Sequence, residues 1–231
     1  GGAGLKEDNL RNVLMEVREV VVKLITAVII PFLPIYIFGI FLKMGAEGQV
    51  ASVMSLFLKV IIVIFVMHVL LLLFQYAIAG SVVRKNPLKL LKNMLPAYAT
   101  ALGTQSSAAT IPVTLEQTKK NGVNPELAGF VIPLCATIHL AGSILKIVAC
   151  AMAIMYMMGM PIGLGQYAGF IMMLGITMVA APGVPGGAIM AALGLLQSML
   201  GFDETLQALM IALYIAMDSF GTACNVTGDG A

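Results

Sequence analysis

Eleven residues decide the fold of this chain: TQSSAATIPVT, residues 104–114. Their side chains are rich in hydroxyl and amide groups, yet the 231-residue chain around them is 60% hydrophobic and only 10% charged, with a mean hydropathy of +0.99. Such a composition is typical of membrane proteins with several spans. Because unsatisfied polar groups are costly in hydrocarbon, we expect this run to face protein or a wet cavity at membrane depth.

Basic residues flank the polar run on both sides. Lys92 and three other basic residues precede it, and Lys119 and Lys120 follow it. The positive-inside rule places both groups on the cytoplasmic side, so the segment between them must enter the membrane and return. The sequence therefore predicts a first re-entrant hairpin over residues 88–120, with its turn at residues 104–110 and bounded by Pro112.

The rest of the chain divides by apolarity into further membrane segments. A Gly- and Pro-rich turn at residues 181–187 joins two apolar arms that are too short to span singly, and this pattern predicts a second hairpin entering from the opposite face. We predict an all-α membrane protein with two opposed re-entrant helical hairpins, the inverted-repeat arrangement of secondary transporters. The remaining predicted segments are an amphiphilic lead-in at 1–19, two transmembrane helices within 20–80, a transmembrane helix with an unwound middle at 126–158, the second hairpin at 165–200, and a last, truncated transmembrane helix at 205–231.

Composition and spacing also exclude several classes of function. A net charge of +2 without an aromatic-interleaved basic face gives no indication of nucleic-acid binding. The three cysteines form no CxxC pair and have no histidine at ligand spacing, so neither a disulfide framework nor a zinc site is indicated. No nucleophile and base stand at a recognisable spacing, and we do not expect an enzyme.

Ionisable residues inside the apolar segments are the first candidates for a site. Asp218 and Asp229 lie in or at the end of the last apolar span, where a carboxylate usually marks an ion or substrate path. His139 lies in the polar interruption of the 126–158 span, and it is either a hydrogen-bonded packing residue or a group that couples proton movement. We interpret His68, which has no such context, as structural.

Four motifs resemble those of a known family, in the same order. They are the 104–114 run, PLCATIHLAGS at 133–143, PGVPGG at 182–187 and DSFGTACNVTGD at 218–229. The chain resembles the carboxy-terminal half of the dicarboxylate/amino acid:cation symporter family, the glutamate transporter homologues. The resemblance implies transport-domain helices that move against a trimeric scaffold. The expected partners are a small-molecule amino acid or dicarboxylate, the lipid bilayer of the inner (plasma) membrane, crossed in multiple passes, and further copies in a homotrimer when the protein is full length.

The resemblance also implies which residues bind substrate. Ser106 and Ser107 would hold the substrate α-carboxylate, Asp218 would take the α-amino group, and Asn225 would hold a carboxylate and shape a sodium site. The expected substrate-binding residues are Ser106, Ser107, Ser143, Lys146, Val184, Gly186, Asp218, Thr222 and Asn225.

Sodium is the coupling ion that the resemblance implies, with a proton as the alternative. Hard cations take oxygen ligands, and a broken helix exposes carbonyls that supply them. One site would join Asn225 and Asp229 to carbonyls near Cys135 and His139, and another would join Thr137 to carbonyls of Val179 to Ala181. The family motif Asn-Met-Asp-Gly-Thr is here His139-Leu-Ala-Gly-Ser143, and the missing aspartate at Ala141 removes a ligand of one family sodium site.

The identity of the substrate depends on two departures from the family pattern. Gly221 stands where members that take acidic substrates carry an arginine, and Tyr214 stands where an aspartate usually supports that arginine. We therefore expect a secondary active symporter for a small neutral amino acid such as serine, threonine or alanine. Lys146 lies one turn beyond Ser143 and could replace the arginine charge, so an acidic amino acid or C4-dicarboxylate remains an alternative. A channel of the same fold is a second alternative.

Overall fold

A computed structural model describes residues 9–24, 27–28, 30–46, 48 and 50–231 of the chain. The regular secondary structure of these residues is entirely helical, which confirms the predicted all-α class. The helices are α1 (Asn9–Leu24), α2 (Ile30–Ala46), α3 (Val50–Val83), α4 (Pro87–Asn93), α5 (Leu95–Thr104), α6 (Ser107–Lys120), α7 (Pro125–Ile138), α8 (Ala141–Met157), α9 (Leu164–Met178), α10 (Gly187–Leu200), α11 (Glu204–Ala216) and α12 (Asp218–Gly228).

Several of these helices are long and apolar enough to cross a membrane. By length and composition, the described residues contain two such segments, Phe57–Val83 and Pro125–Met157. A third qualifies if α11 and α12, which meet at an angle of 61°, count as one broken span. The apolar helices α9 and α10 are shorter, as the arms of the predicted second hairpin would be. These lengths agree with a membrane protein.

The amino-terminal boundaries differ from the predicted ones. Residues 1–8 of the predicted lead-in lie outside the described residues. Helix α1 continues past residue 19 to Leu24, so the boundary between lead-in and first span falls inside a helix. An ion pair between Glu19 and Lys23, one helical turn apart, spans this boundary with 3.0 Å between the charged atoms. The polar lead-in and the start of the apolar run therefore form one helix.

The first turn is narrower than predicted. Only Gln105 and Ser106 separate α5 from α6, and Gln105 adopts the left-handed conformation with φ of 53°. The Ser106 hydroxyl accepts the Ala109 N–H at 3.3 Å, and this cap starts α6 directly after the turn. The expectation that Pro112 bounds the turn is wrong, because Pro112 lies inside α6. Helices α5 and α6 pack against each other as a hairpin.

The second turn connects α9 to α10, which also pack against each other. Gly186, at its end, has a φ of 71°, a left-handed conformation that favours glycine. The two turns contact each other, because the Ser106 hydroxyl donates to the Gly183 carbonyl at 2.9 Å. That the hairpins enter a bilayer from opposite faces stays a prediction.

Helix α8 lies at the centre of the main apolar core. Its buried residues Ile147, Cys150 and Ile154 pack with apolar residues of α3, α9, α10 and α11. Helix α12 packs against α5, α8 and α3. This arrangement brings the interruption between α7 and α8, the bend between α11 and α12 and the two hairpin turns into one region.

Candidate functional site

A small cavity lies where the two turns meet the broken helices. Its volume is about 20 Å³, which is room for roughly one water molecule. The lining residues come from the first turn, the α7–α8 interruption, the second turn and the α11–α12 segment: Gln105, Ser107, Leu140, Ser143, Pro182, Gly183, Val184, Ala188, Tyr214, Asp218, Thr222 and Asn225.

Four helices begin at this cavity. Ser107, Ser143, Ala188 and Asp218 lie in the first turns of α6, α8, α10 and α12, and all four line the cavity. Helix N-termini present unpaired N–H groups and a partial positive charge, so they are suited to an anionic group. The backbone of this cavity therefore favours a carboxylate.

The predicted substrate-binding residues are brought together around the cavity. Six of them line it directly and the other three bond to its walls, as described below. The six are Ser107, Ser143, Val184, Asp218, Thr222 and Asn225, and the three are Ser106, Lys146 and Gly186.

Four of the five hydroxyl groups of the 104–114 run, those of Thr104, Ser106, Thr110 and Thr114, are hydrogen-bonded within the protein. The Thr104 and Thr110 hydroxyls are 2.9 Å apart, and Thr110 also donates to the Ser106 carbonyl at 2.8 Å. Gln105 donates from its side-chain amide to the Ser219 hydroxyl of α12 at 2.9 Å. The run thus holds its own turn and attaches it to the second turn and to α12.

Asp218 is a buried carboxylate with a partner on each oxygen. Its Oδ1 accepts from Lys146 Nζ at 3.0 Å, and its Oδ2 accepts from the Gly186 N–H at 2.8 Å. A carboxylate in an apolar interior requires such partners. Asp218 therefore links α12 to α8 and to the second turn.

Lys146 is fully buried beside the cavity. Besides Asp218, its ammonium contacts the Tyr214 carbonyl at 3.3 Å and lies 3.3 Å from the centroid of the Tyr214 ring, a cation–π geometry. A Cβ atom built on Gly221 would lie 3.0 Å from Lys146 Nζ. The ammonium of Lys146 therefore lies next to position 221, where the resemblance implies an arginine in members that take acidic substrates.

Asn225 holds the start of α8. Its Oδ1 accepts the N–H groups of Gly142 and Ser143 at 2.8 and 3.2 Å, and its Nδ2 donates to the Ser143 hydroxyl at 2.9 Å. Gly142 must lack a side chain because an added Cβ would lie 2.7 Å from Cys224 Cβ and 2.8 Å from the Gly221 carbonyl. Asn225, on α12, thus caps the start of α8, a role that a residue next to the helix start usually has.

The residues predicted to bind cations fall into two groups. His139 Nδ1 lies 2.7 Å from Asp229 Oδ1, and the Cys135 carbonyl accepts the His139 N–H at 2.8 Å. Thr137 donates to the Leu134 carbonyl at 2.9 Å, within its own helix. In the other group, Val179 and Ala181 lie between the end of α9 and the second turn, Val179 being exposed and Ala181 buried.

The two groups are linked through the backbone of α7. A Cβ on Gly183 would lie 2.9 Å from the Ala136 carbonyl, so the second turn contacts the end of α7 directly before Thr137. Across the described ranges there is no cluster of three or more His, Cys, Asp or Glu side chains. Any cation held here would therefore depend on backbone and amide oxygens as well as on carboxylates.

Sequence reasoning missed three contributors. Gln105 supplies a left-handed turn residue and a bond to α12, Tyr214 covers the Lys146 ammonium and donates to the Ser143 hydroxyl at 3.2 Å, and Gln75 of α3 contacts His139 at 3.3 Å. The apolar pattern of α3 gave no sign that Gln75 faces the site. Gln105 had a usable signal, because it stands between the residues already assigned to the turn.

Comparison with known proteins gives the relationships of this chain. Residues 2–231 match the model of the sodium:dicarboxylate symporter family. The chain is 29% identical over 227 residues to the serine/threonine transporter SstT of Acinetobacter baumannii (strain AYE), covering 96% of this chain and 56% of that protein. It is 29% identical over 225 residues to excitatory amino acid transporter 1 of Rattus norvegicus, covering 95% and 41%. The chain thus spans about half the length of these curated relatives.

Proposed function

Because this chain belongs to the sodium:dicarboxylate symporter family, we propose that it is part of a secondary active symporter that couples sodium entry to uptake of a small amino acid. The substrate is neutral, such as serine, threonine or alanine. The full-length protein acts in the inner (plasma) membrane as a multi-pass homotrimer and has no nucleic-acid partner. One relative is named as a serine/threonine transporter and another as an excitatory amino acid transporter, and both names support an amino acid as the cargo.

The observation that carries this proposal is the shared cavity of four helix N-termini and one buried carboxylate. The first turns of α6 and α10 offer N–H groups, and Ser107 and Ser143 offer hydroxyls, to a substrate carboxylate, while Asp218 offers a negative charge to a substrate ammonium. A zwitterion carries both of these charges on one carbon. The arrangement therefore fits an α-amino acid.

Binding requires the second turn to move. A cavity of about 20 Å³ is too small for an amino acid, and the turn is held closed by the Gly186–Asp218 and Gly183–Ser106 hydrogen bonds. A substrate that takes over Asp218 releases Gly186, so occupancy of the site and the position of the turn are linked. A sodium ion held between Thr137 and the carbonyls of Val179 to Ala181 would favour one position of the same turn, which gives coupling between cation and substrate.

Lys146 supports a second candidate cargo. Its ammonium is fully buried next to Gly221 and within reach of the cavity-lining Asp218 and Tyr214. An acidic amino acid or a C4-dicarboxylate carries a further carboxylate that could pair with this ammonium, in place of the family's arginine. The acidic cargo is supported by Lys146 alone. A neutral amino acid is favoured because Gly221 stands where members that take acidic substrates carry an arginine.

The test is uptake by the full-length protein in proteoliposomes with an inward sodium gradient. Wild type should accumulate labelled serine saturably, and Asp218→Asn should abolish accumulation because it removes the charge that meets the ammonium. Asp203→Asn is the matched control, since Asp203 caps α11 and asparagine is an equally good cap. Retained uptake in Asp218→Asn would refute the role of Asp218. Sodium-independent, non-saturable flux would indicate the channel instead.

A further inference from the structure

His139, Asp229 and Gln75 form a side-chain cluster at the end of α12 that lies beyond the substrate cavity. The Asp229 side chain is only 1% exposed, and its Oδ1 lies 2.7 Å from Nδ1 of His139. The other ring nitrogen, Nε2, lies 3.3 Å from Nε2 of Gln75, which reaches the ring from α3. Three helical segments distant in sequence therefore meet at this one imidazole.

The backbone is shaped to admit the imidazole. A Cβ built on Gly228 would lie 2.8 Å from both His139 Cε1 and Gln75 Oε1, so any side chain at position 228 would displace the ring or the amide. His139 itself lies in the interruption after α7, with φ of −103° and ψ of 90°, which directs it away from the regular helix. The contact between His139 and Asp229 thus depends on the close packing of α12 against α3 at Gly228.

This cluster competes with a cation for the same carboxylate. A sodium ion at Asp229 would need at least one free carboxylate oxygen, room beside it and further oxygen ligands around it. Asp229 Oδ1 is already within hydrogen-bonding distance of a ring nitrogen. The Cys135 and Asn225 carbonyls, which with His139 complete the expected ligands, accept the N–H groups of His139 and Asp229 at 2.8 and 2.9 Å and each keep a second lone pair. The His139 ring, packed against the Asp229 carboxylate, therefore does not fit the sodium site that the family resemblance implies.

We propose that the His139 ring stands beside the Asp229 carboxylate at the position where a sodium ion would otherwise bind, and that Gln75 orients the ring. The inference rests on the proposed function, because it concerns how many sodium ions are coupled to each substrate molecule. It assigns the sodium coupling of this chain to the Thr137 region and leaves Asp229 as the hydrogen-bonded partner of a histidine. His139 and Gln75 are then positioning residues that set the coupling ratio.

The variant Asp229→Asn of the full-length protein distinguishes an Asp229 that is hydrogen-bonded to His139 from an Asp229 that binds sodium. An asparagine Oδ1 can still accept a hydrogen bond from His139, so the local fold is retained, but a sodium site would lose its charged ligand. Two measurements are made: the ratio of ²²Na⁺ to labelled substrate taken up by proteoliposomes, and the dependence of the melting temperature on sodium concentration in the purified protein without substrate. Asp203→Asn is again the matched control.

We expect the sodium-to-substrate ratio of Asp229→Asn to equal that of wild type, and its sodium affinity from thermal stabilisation to change by less than about twofold. A ratio lower by one sodium, with affinity weakened by about tenfold or more, would overturn the proposal. His139→Ala provides a second variant. Removal of the ring should increase the rise in melting temperature that sodium produces, and an unchanged rise would contradict the proposal. If wild type shows no sodium-driven uptake, the proposed function fails, while the thermal measurement still decides the occupancy of Asp229.

Discussion

Lys146 Nζ lies 3.0 Å from Asp218 Oδ1, with 0% and 4% of the two side chains exposed. The second carboxylate oxygen of Asp218 accepts from Gly186 in the second turn. A substrate ammonium that binds Asp218 must therefore compete with a resident ammonium and with a backbone N–H. The second turn is thus held by the same carboxylate that the proposed function gives to the substrate, which links opening of the turn to binding.

Removal of Lys146 should destabilise the protein. Lys146→Met keeps most of the side-chain volume but leaves Asp218 buried without its cation, and breaking such a pair from one side typically costs about 3–5 kcal/mol. We expect a loss of this order in the free energy of unfolding, measured by denaturant in detergent on the full-length protein. The exposed Lys92→Met is the matched control and should change stability by less than about 0.5 kcal/mol.

The double variant Lys146→Met, Asp218→Asn distinguishes the contribution of the ion pair to stability from that of side-chain packing. Because it removes both charges, it should recover much of the stability lost in Lys146→Met. A double variant that is as unstable as the single one would indicate that packing against Tyr214, rather than the ion pair, carries the effect.

Local sequence predicted most of the elements that form the site. A carboxylate inside an apolar segment indicates Asp218, and hydroxyls between basic flanks indicate the 104–114 run, whereas Asn225 is implied by the family resemblance. These signals are strong because a polar group in hydrocarbon must have a partner. The partner itself, such as Asn225 for the N–H groups of Gly142, depends on distant contacts and has no local signature.

Other features of the fold could not be predicted locally. The 61° bend between α11 and α12 falls at Met217, where there is no proline or glycine, so the local sequence gives no sign of it. Pro112 indicates a turn by its chemistry, yet the Ser106 cap begins the helix earlier and the proline is accommodated inside it. The approach of Gln75 to His139 joins residues 64 positions apart. Such pairs are determined by packing, not by periodicity.

Lys146 should also influence which substrate is transported. If its ammonium pairs with a side-chain carboxylate of the substrate, Lys146→Met removes a charge-assisted hydrogen bond worth about 1.5–3 kcal/mol, and uptake of aspartate relative to serine should fall about tenfold or more. The same change frees Asp218 for a substrate ammonium, but both amino acids carry one, so this effect alone does not change the ratio. The measurement is competition between the two labelled amino acids in proteoliposomes. An unchanged ratio would exclude Lys146 as a determinant of specificity.

Asn225→Ala should impair both stability and uptake. It leaves the N–H groups of Gly142 and Ser143 without their acceptor in a buried position, and each unsatisfied group costs about 1–3 kcal/mol. Asn86→Ala is the matched control, because Asn86 also accepts two N–H groups, at the exposed start of α4. The control should lose about 1 kcal/mol and keep its uptake. Equal loss of uptake in both variants would mean that Asn225 acts only through general stability.

Gly183→Ala tests whether contact between the second turn and α7 holds the site closed. The added methyl group would lie 2.9 Å from the Ala136 carbonyl, so the turn must move away from α7, at a cost of about 1–3 kcal/mol in the closed state. Because binding requires this turn to move, a weaker closed state should lower the apparent KM for substrate in sodium-driven uptake by about tenfold. Gly194→Ala in α10 is the control, because nothing lies within 4 Å of its added Cβ and alanine favours the helix by about 1 kcal/mol. If both variants transport with the wild-type KM, closure of the second turn on α7 does not oppose binding, and the link between turn position and occupancy must be abandoned.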